Sequence, residues 1–260
     1  MKPLLDRLFR RSADTPAAME RARVLAEAGD YAGALAIWGP LAQAGLARAQ
    51  NNVGGCFAHG HGVAADPALA VRWLTLAAEA GDPLGQRNLG SLYFEGRGVE
   101  RDYAAAARWF RAAAERDDGE AQDMLSWMLL DGEMLEQEPV EARRWAEAAA
   151  AKGYAGAATR LGTILYNAMG CERDAPSAVA WWHRATAAGD GDGAALLGAA
   201  YHLGQGVAAS QDEAFRYLTL ATRRGSLLAA RFLPSVRSRL PEQTIHAIEQ
   251  QVGEAAAAKA

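Results

Sequence analysis

The sequence predicts an all-α solenoid of about six helix–turn–helix repeats closed by a C-terminal capping helix. Three observations carry this reading. Aromatic residues recur on a 36-residue ruler, at Trp73, Trp109, Trp145, Trp181 and Tyr217. Seven residues before each ring stands a polar side chain suited to starting a helix: Asp66, Asp102, Glu138, Asp174 or Ser210. Three residues before each ring stands an alanine, at Ala70, Ala106, Ala142, Ala178 and Ala214. A period of this size marks stacked supersecondary units, each of which buries its apolar face only against its neighbours.

The elements follow in chain order. Residues 1–15 form a basic, amphipathic segment with Leu4, Leu5, Leu8 and Phe9 on one side and Lys2, Arg7, Arg10 and Arg11 on the other. Three readings stay open for it: a frayed, disordered end, a helix docked on the first repeat, or a weak membrane-surface contact through residues 1–11. Asp6 and Arg7 interrupt any apolar run, so the segment does not resemble a secretory signal. Residues 16–48 read as a divergent helix pair, because Asp30, Ala34 and Gly45 fall on the ruler while the loop is short and lacks paired glycines.

Five full repeats are expected over residues 49–226, and the one from Pro83 to Asp118 shows how each is built. Asp82 is a good N-cap and Pro83 suits the first helical position, where a missing N–H is harmless. Leu89, Gly90, Leu92 and Tyr93 give the spacing of one buried helical face. Gly96 ends the helix, Gly98 permits a second unusual backbone conformation, and Val99 folds back into the core. Asp102 then caps a second helix whose inner side holds Ala106, Trp109, Phe110 and Ala113. Where other repeats stop at Gly81, Gly153, Gly189 or Gly225, this one stops at Asp117-Asp118. In the last repeat Ser210 and Glu213 form a capping box. Residues 227–260 then supply capping helices, with Ile245, Ile248 and Val252 sealing the last core face, and an alanine-rich frayed tail.

Small residues recur within the helices at Gly54, Gly90, Ser126, Gly162 and Gly198, where glycine costs about 1 kcal/mol relative to alanine. That cost is tolerable where a neighbouring helix approaches closely. The ruler rings are then expected to be core staples that fill the remaining volume, not ligand cages.

Composition narrows the function. A net charge of −4 argues against a nucleic-acid partner, which would call for a basic face. No apolar run approaches the roughly 20 residues of a membrane span. Cys56 and Cys171 lie three repeats apart, too far for a disulfide, and together with the opening segment they suggest a reduced, cytoplasmic protein. His59 and His61 lack the third ligand a zinc site needs, and the arginines Arg101, Arg108, Arg111, Arg143 and Arg144 read as a solvated outer face. No catalytic motif, cofactor site or metal site is expected.

The run Leu89-Gly90-Ser91-Leu92-Tyr93-Phe94-Glu95-Gly96-Arg97-Gly98-Val99, followed by Asp102, Ala106, Trp109 and Ala112-Ala113, resembles the Sel1-like repeat, a bacterial-type relative of the tetratricopeptide repeat. The likeness covers about residues 30–226. It implies a right-handed superhelix whose first helices line a concave groove, and a non-catalytic adaptor that binds a peptide or partner protein there. Two alternatives share the fold. One is a periplasmic or envelope-associated regulatory protein. The other is the cysteine-rich branch linked to β-lactam binding and hydrolysis, whose paired cysteines this chain lacks.

Two repeats depart from the pattern. Met134 and Leu135 replace the second loop glycine and the valine in the third, and Ala168 replaces the first loop glycine in the fourth. Drifting positions on the first helices are the candidates for partner binding: Asn52, Asn88, Trp127, Asp131, Arg160 and Tyr166. Trp127 stands where the other repeats hold Gly, Ser, Thr and Ala, and is either a binding hot spot or the filler of a packing gap. Asn52, Asn88, Arg160 and Tyr166 have the groups to hold an extended peptide by hydrogen bonds, or to be plain solvated side chains.

Overall fold

The computed structural model describes the backbone of residues 2–257 and the side chains of residues 15–254. Among the described residues it holds fourteen α-helices, one short 3-10 turn and no strand. The helices pair in chain order: α1 (Lys2–Glu27) with α2 (Tyr31–Gln43), α3 (Ala47–His59) with α4 (Pro67–Glu79), and α5 (Pro83–Glu95) with α6 (Tyr103–Ala114). The series continues with α7 (Gly119–Asp131) and α8 (Pro139–Ala151), α9 (Ala155–Asn167) and α10 (Ala175–Ala187), and α11 (Gly191–Leu203) and α12 (Gln211–Arg223). The turn η1 (Leu228–Arg231) and helices α13 (Leu233–Arg237) and α14 (Glu242–Ala257) end the chain. Two compact units result, one ending at Ala121 and the other starting at Gln122.

Helix α1 runs unbroken through Pro16, the residue at which the sequence places the start of the first pair. The amphipathic face and membrane contact expected of residues 1–11 lie outside the described side chains.

Aspartate starts several helices, as expected. The carboxylates of Asp30, Asp66, Asp82, Asp102 and Asp174 accept from the backbone N–H three residues on, at 2.8–3.0 Å. The Ser210 hydroxyl accepts from the Glu213 N–H at 3.3 Å. Glu138 makes no such capping bond, because its extra methylene moves the carboxylate out of reach of the turn. At Asp174 the hydrogen bonds from Ser177 hold the carboxyl below its ordinary pKa.

The ring on the ruler is not the deepest residue of its helix. Trp73, Trp109, Trp181 and Tyr217 are half-buried, whereas the next residue in each case, Leu74, Phe110, Trp182 or Leu218, is at most 2% exposed. The mid-helix glycine faces that deeper residue. A Cβ added to Gly54 or Gly198 would lie 2.7 Å from the Cγ of Leu74 or Leu218, and one on Gly90 would lie 3.1 Å from the Phe110 ring. The expectation that the ruler ring is the core staple is therefore displaced by one position. The third repeat shows the compensation. There Ser126 replaces the glycine, Ala146 replaces the large side chain, and Trp145 sinks to 3% exposure with its indole N–H on Glu141 at 2.9 Å. A larger residue on one helix is matched by a smaller one at the position that faces it in the other repeats, as close packing requires.

The second loop glycine has a separate function. Gly98 and Gly206 hold φ of +72° and +76°. A Cβ on Gly98 would lie 2.7 Å from the Ala68 nitrogen and closer still to the Pro67 carbonyl, and one on Gly206 would meet Ala175 and the Pro176 nitrogen in the same way. Each loop thus lies directly on the first turn of the preceding repeat's second helix. The first loop glycine is less demanding, since Ala168 takes its left-handed conformation at φ +59° in the fourth repeat.

Two buried glutamines extend the inter-repeat bonding. Gln50 and Gln86 donate from their amides to the carbonyls of Ala42 and Ala78, at 3.2 and 3.1 Å, near the end of the preceding helix. At the far end Ile245, Ile248 and Val252 are buried in one cluster with Phe215, Leu218 and Ala221, so α14 covers the flank of the last repeat.

Candidate functional site

In each unit one polar contact joins successive first helices in the same register. In the first unit Asn88 donates to Asn51 at 2.8 Å, and the Asn52 amide lies 3.3 Å from the Trp38 indole nitrogen. In the second unit Arg160 donates to Asp123 at 2.8 Å and to the Ser126 hydroxyl at 2.7 Å. The Asn88–Asn51 and Arg160–Asp123 bonds each span 37 residues, one repeat plus one. Asn88 and Arg160 are thereby engaged by the scaffold itself. Because the Arg160 guanidinium is mostly buried against Asp123, Arg160→Ala is expected to lower stability by roughly 1–2 kcal/mol in urea unfolding at unchanged helix content.

The other candidate residues have varied settings. Trp127 is half-buried within α7. Asp131 is exposed at the end of that helix, and its carboxylate accepts from the Glu133 N–H at 3.2 Å. Tyr166 is the most connected of the set. Its hydroxyl bonds to Gln205, the Arg173 guanidinium lies 4.8 Å over its ring, and the Trp182 ring lies 5.4 Å away.

Tyr166 also belongs to a pocket of about 220 Å³ in the second unit. Its walls come from Thr163, Tyr166 and Asn167 on α9, Trp182 on α10 and Leu196 and Leu203 on α11, with Leu228, Arg231 and Phe232 at and just after η1 closing one side. The closing element is held in place locally. The Ser226 hydroxyl accepts from the Leu228 N–H at 3.3 Å, Ala229 is fully buried, and His202 meets the Phe232 ring edge-on at 6.3 Å. Leu203 is 52% exposed and Leu228 39% exposed at this pocket, so it presents apolar surface to solvent.

Leu228, Arg231 and Phe232 lie beyond the last repeat and have no counterparts on the ruler. Leu196 and Leu203 did carry a signal. Position 196 follows Asn52, Asn88, Met124 and Arg160, and position 203 follows His59, Glu95, Asp131 and Asn167. Leucine there breaks two mostly polar columns at once.

In the first unit His59 and His61 stack with centroids 5.5 Å apart, and Tyr31 stacks on His61 at 4.5 Å. No cluster of three metal-ligating side chains occurs among the described residues. Among them no helix is long and apolar enough to cross a membrane.

The Sel1 repeat profile matches residues 47–82, 83–118, 119–154, 155–190 and 191–226. The chain belongs to the Sel1 repeat family. Its first Sel1 repeat opens with α3, and the α1–α2 pair precedes the matched region. The chain resembles a Sel1 repeat protein from Oxalobacter formigenes, with 28% identity and a TM-score of 0.71 over 91% of this chain and 99% of that one. It also resembles a protective antigen of uropathogenic Escherichia coli with an SLR fold, at 28% identity and a TM-score of 0.54, over 96% of this chain and 63% of that one. No curated protein matches it. Sel1 repeat proteins are in general protein-interaction scaffolds.

Proposed function

We propose that this Sel1 repeat protein is a non-catalytic adaptor that docks a partner protein on the first-helix side of its second unit, the side the family assigns to a groove. The pocket between α9, α11 and η1 is the anchor point. The observation that carries this reading is the combination of a preformed apolar recess with the half-exposed leucines Leu203 and Leu228 at its wall. Exposed apolar side chains gathered around a concavity favour a partner that covers them, because burying them releases ordered water. A cytoplasmic setting belongs to the same proposal and is supported by two free thiols, Cys56 and Cys171.

Leu203→Asp tests the reading in the full-length protein. The side chain is half exposed, so the fold is expected to persist, as circular dichroism will report. Partners captured from the native cell by the wild type are expected to be lost from the variant. If the folded variant recovers all of them, the anchor point is elsewhere.

A further inference from the structure

We propose that the pocket takes one large apolar side chain from an acidic partner segment, and that Arg173 and Arg231 bind the flanking carboxylates. This rests on the docking reading above and goes on to specify the chemistry of the partner.

Size comes first. A volume of about 220 Å³ lies below the roughly 300–1,000 Å³ typical of small-molecule sites and suits a single side chain. The walls then select its character. Trp182, Leu196, Leu203, Leu228 and Phe232 offer aromatic and aliphatic surface, which favours an aliphatic or aromatic anchor.

Charge decides what surrounds that anchor. The chain is acidic overall, with a net charge of −4, and several arginines of this unit are neutralised locally: Arg160 by Asp123, Arg216 by Glu213 and Arg237 by Glu249. Arg231 on the pocket wall and Arg173 over the wall residue Tyr166 are not. Arg231 makes no hydrogen bond or ion pair among the described residues. Arg173 lies over the Tyr166 ring and donates only to neutral oxygens, those of Tyr166 and Gln205. A guanidinium carries five N–H donors in a planar fork, so both retain donors for a carboxylate. The chain's own N-terminal segment, with Lys2, Arg7, Arg10 and Arg11, has the wrong sign to occupy the site.

The test selects binders to the immobilised full-length protein from a displayed library of random dodecapeptides. Recovered peptides are expected to carry an aliphatic or aromatic residue close to two or more Asp or Glu residues. Leu196→Arg, which obstructs the pocket, is expected to abolish their binding. Arg231→Glu and Arg173→Glu are each expected to weaken it about tenfold, Arg231→Glu without altering the thermal melt, and added salt is expected to weaken it for the wild type. Peptides with neutral or basic flanks that need the pocket but ignore both arginine reversals would overturn the acidic-segment proposal and leave the docking site standing. Peptides that bind regardless of Leu196→Arg and Leu203→Asp would overturn both. One further outcome concerns a second copy, whose segment around Met134 and Leu135 is itself flanked by Glu133 and Glu136. Concentration-dependent self-association that disappears on Glu133→Lys with Glu136→Lys would replace the partner segment with that loop and overturn the proposal.

Discussion

Gly98→Ala is expected to destabilise the protein by roughly 3–4 kcal/mol, whereas Gly225→Ala costs about 1 kcal/mol, a contrast that urea unfolding of the two variants will measure. Both glycines have positive φ, +72° and +82°, so both substitutions incur the left-handed penalty of an L-residue. They differ in what the new methyl group meets. At Gly225 nothing lies within 4 Å, while at Gly98 the Cβ runs into the backbone of Pro67 and Ala68, which has no flexible end to move aside. The contact joins successive repeats, so the damage would spread to two of them. Equal losses for the two variants would show that φ alone governs these loops and that the close approach of loop to helix contributes nothing.

Phe110→Ala is expected to cost about 3–5 kcal/mol, because a fully buried ring is lost and Gly90 opposite it cannot fill the gap. Gly90→Ser alone is also expected to be destabilising, since its Cβ would press on the Phe110 ring from 3.1 Å. The double variant reproduces the Ser126 and Ala146 combination of the third repeat. It is expected to be more stable than the sum of the two single losses by at least about 1 kcal/mol in a double-mutant cycle. Strict additivity would mean that the small residue on one helix and the large one on the other are not matched.

These two cases show what was legible in the sequence. The glycine at each position, its period and its cost could all be seen, but not what it faced. Gly90 and Phe110 are 20 residues apart, and only the assembled pair shows that Phe110, rather than Trp109, fills the space beside the glycine. Adjacent aromatic residues such as Trp109-Phe110 and Trp181-Trp182 leave the rotational phase of the helix ambiguous. A turn of about 100° exchanges which ring points inward, and the packing of the neighbouring helix settles it.

The candidate partner-binding residues separate along the same line. Drift from repeat to repeat marks positions that the repeat pattern leaves variable. It does not distinguish a side chain available to a partner from one already bonded to the next repeat. Asn88 and Arg160 are of the second kind. Tyr166 is joined to Gln205 yet still forms part of the pocket wall.

By itself, then, the sequence determined the all-α repeat, its period, the aspartate caps, the loop glycines and the family, because each rests on interactions that are the same from one 36-residue unit to the next and so recurs in phase. Only the tertiary structure decided which side chain is deepest, which drifting residues are already bonded, and where apolar surface gathers into a recess. The pocket draws on α9, α10, α11 and the η1 segment, four stretches whose convergence depends on how helices pack and on how the chain turns after the last repeat. Such long-range packing leaves no periodic trace, beyond two leucines, Leu196 and Leu203, where earlier repeats are mostly polar.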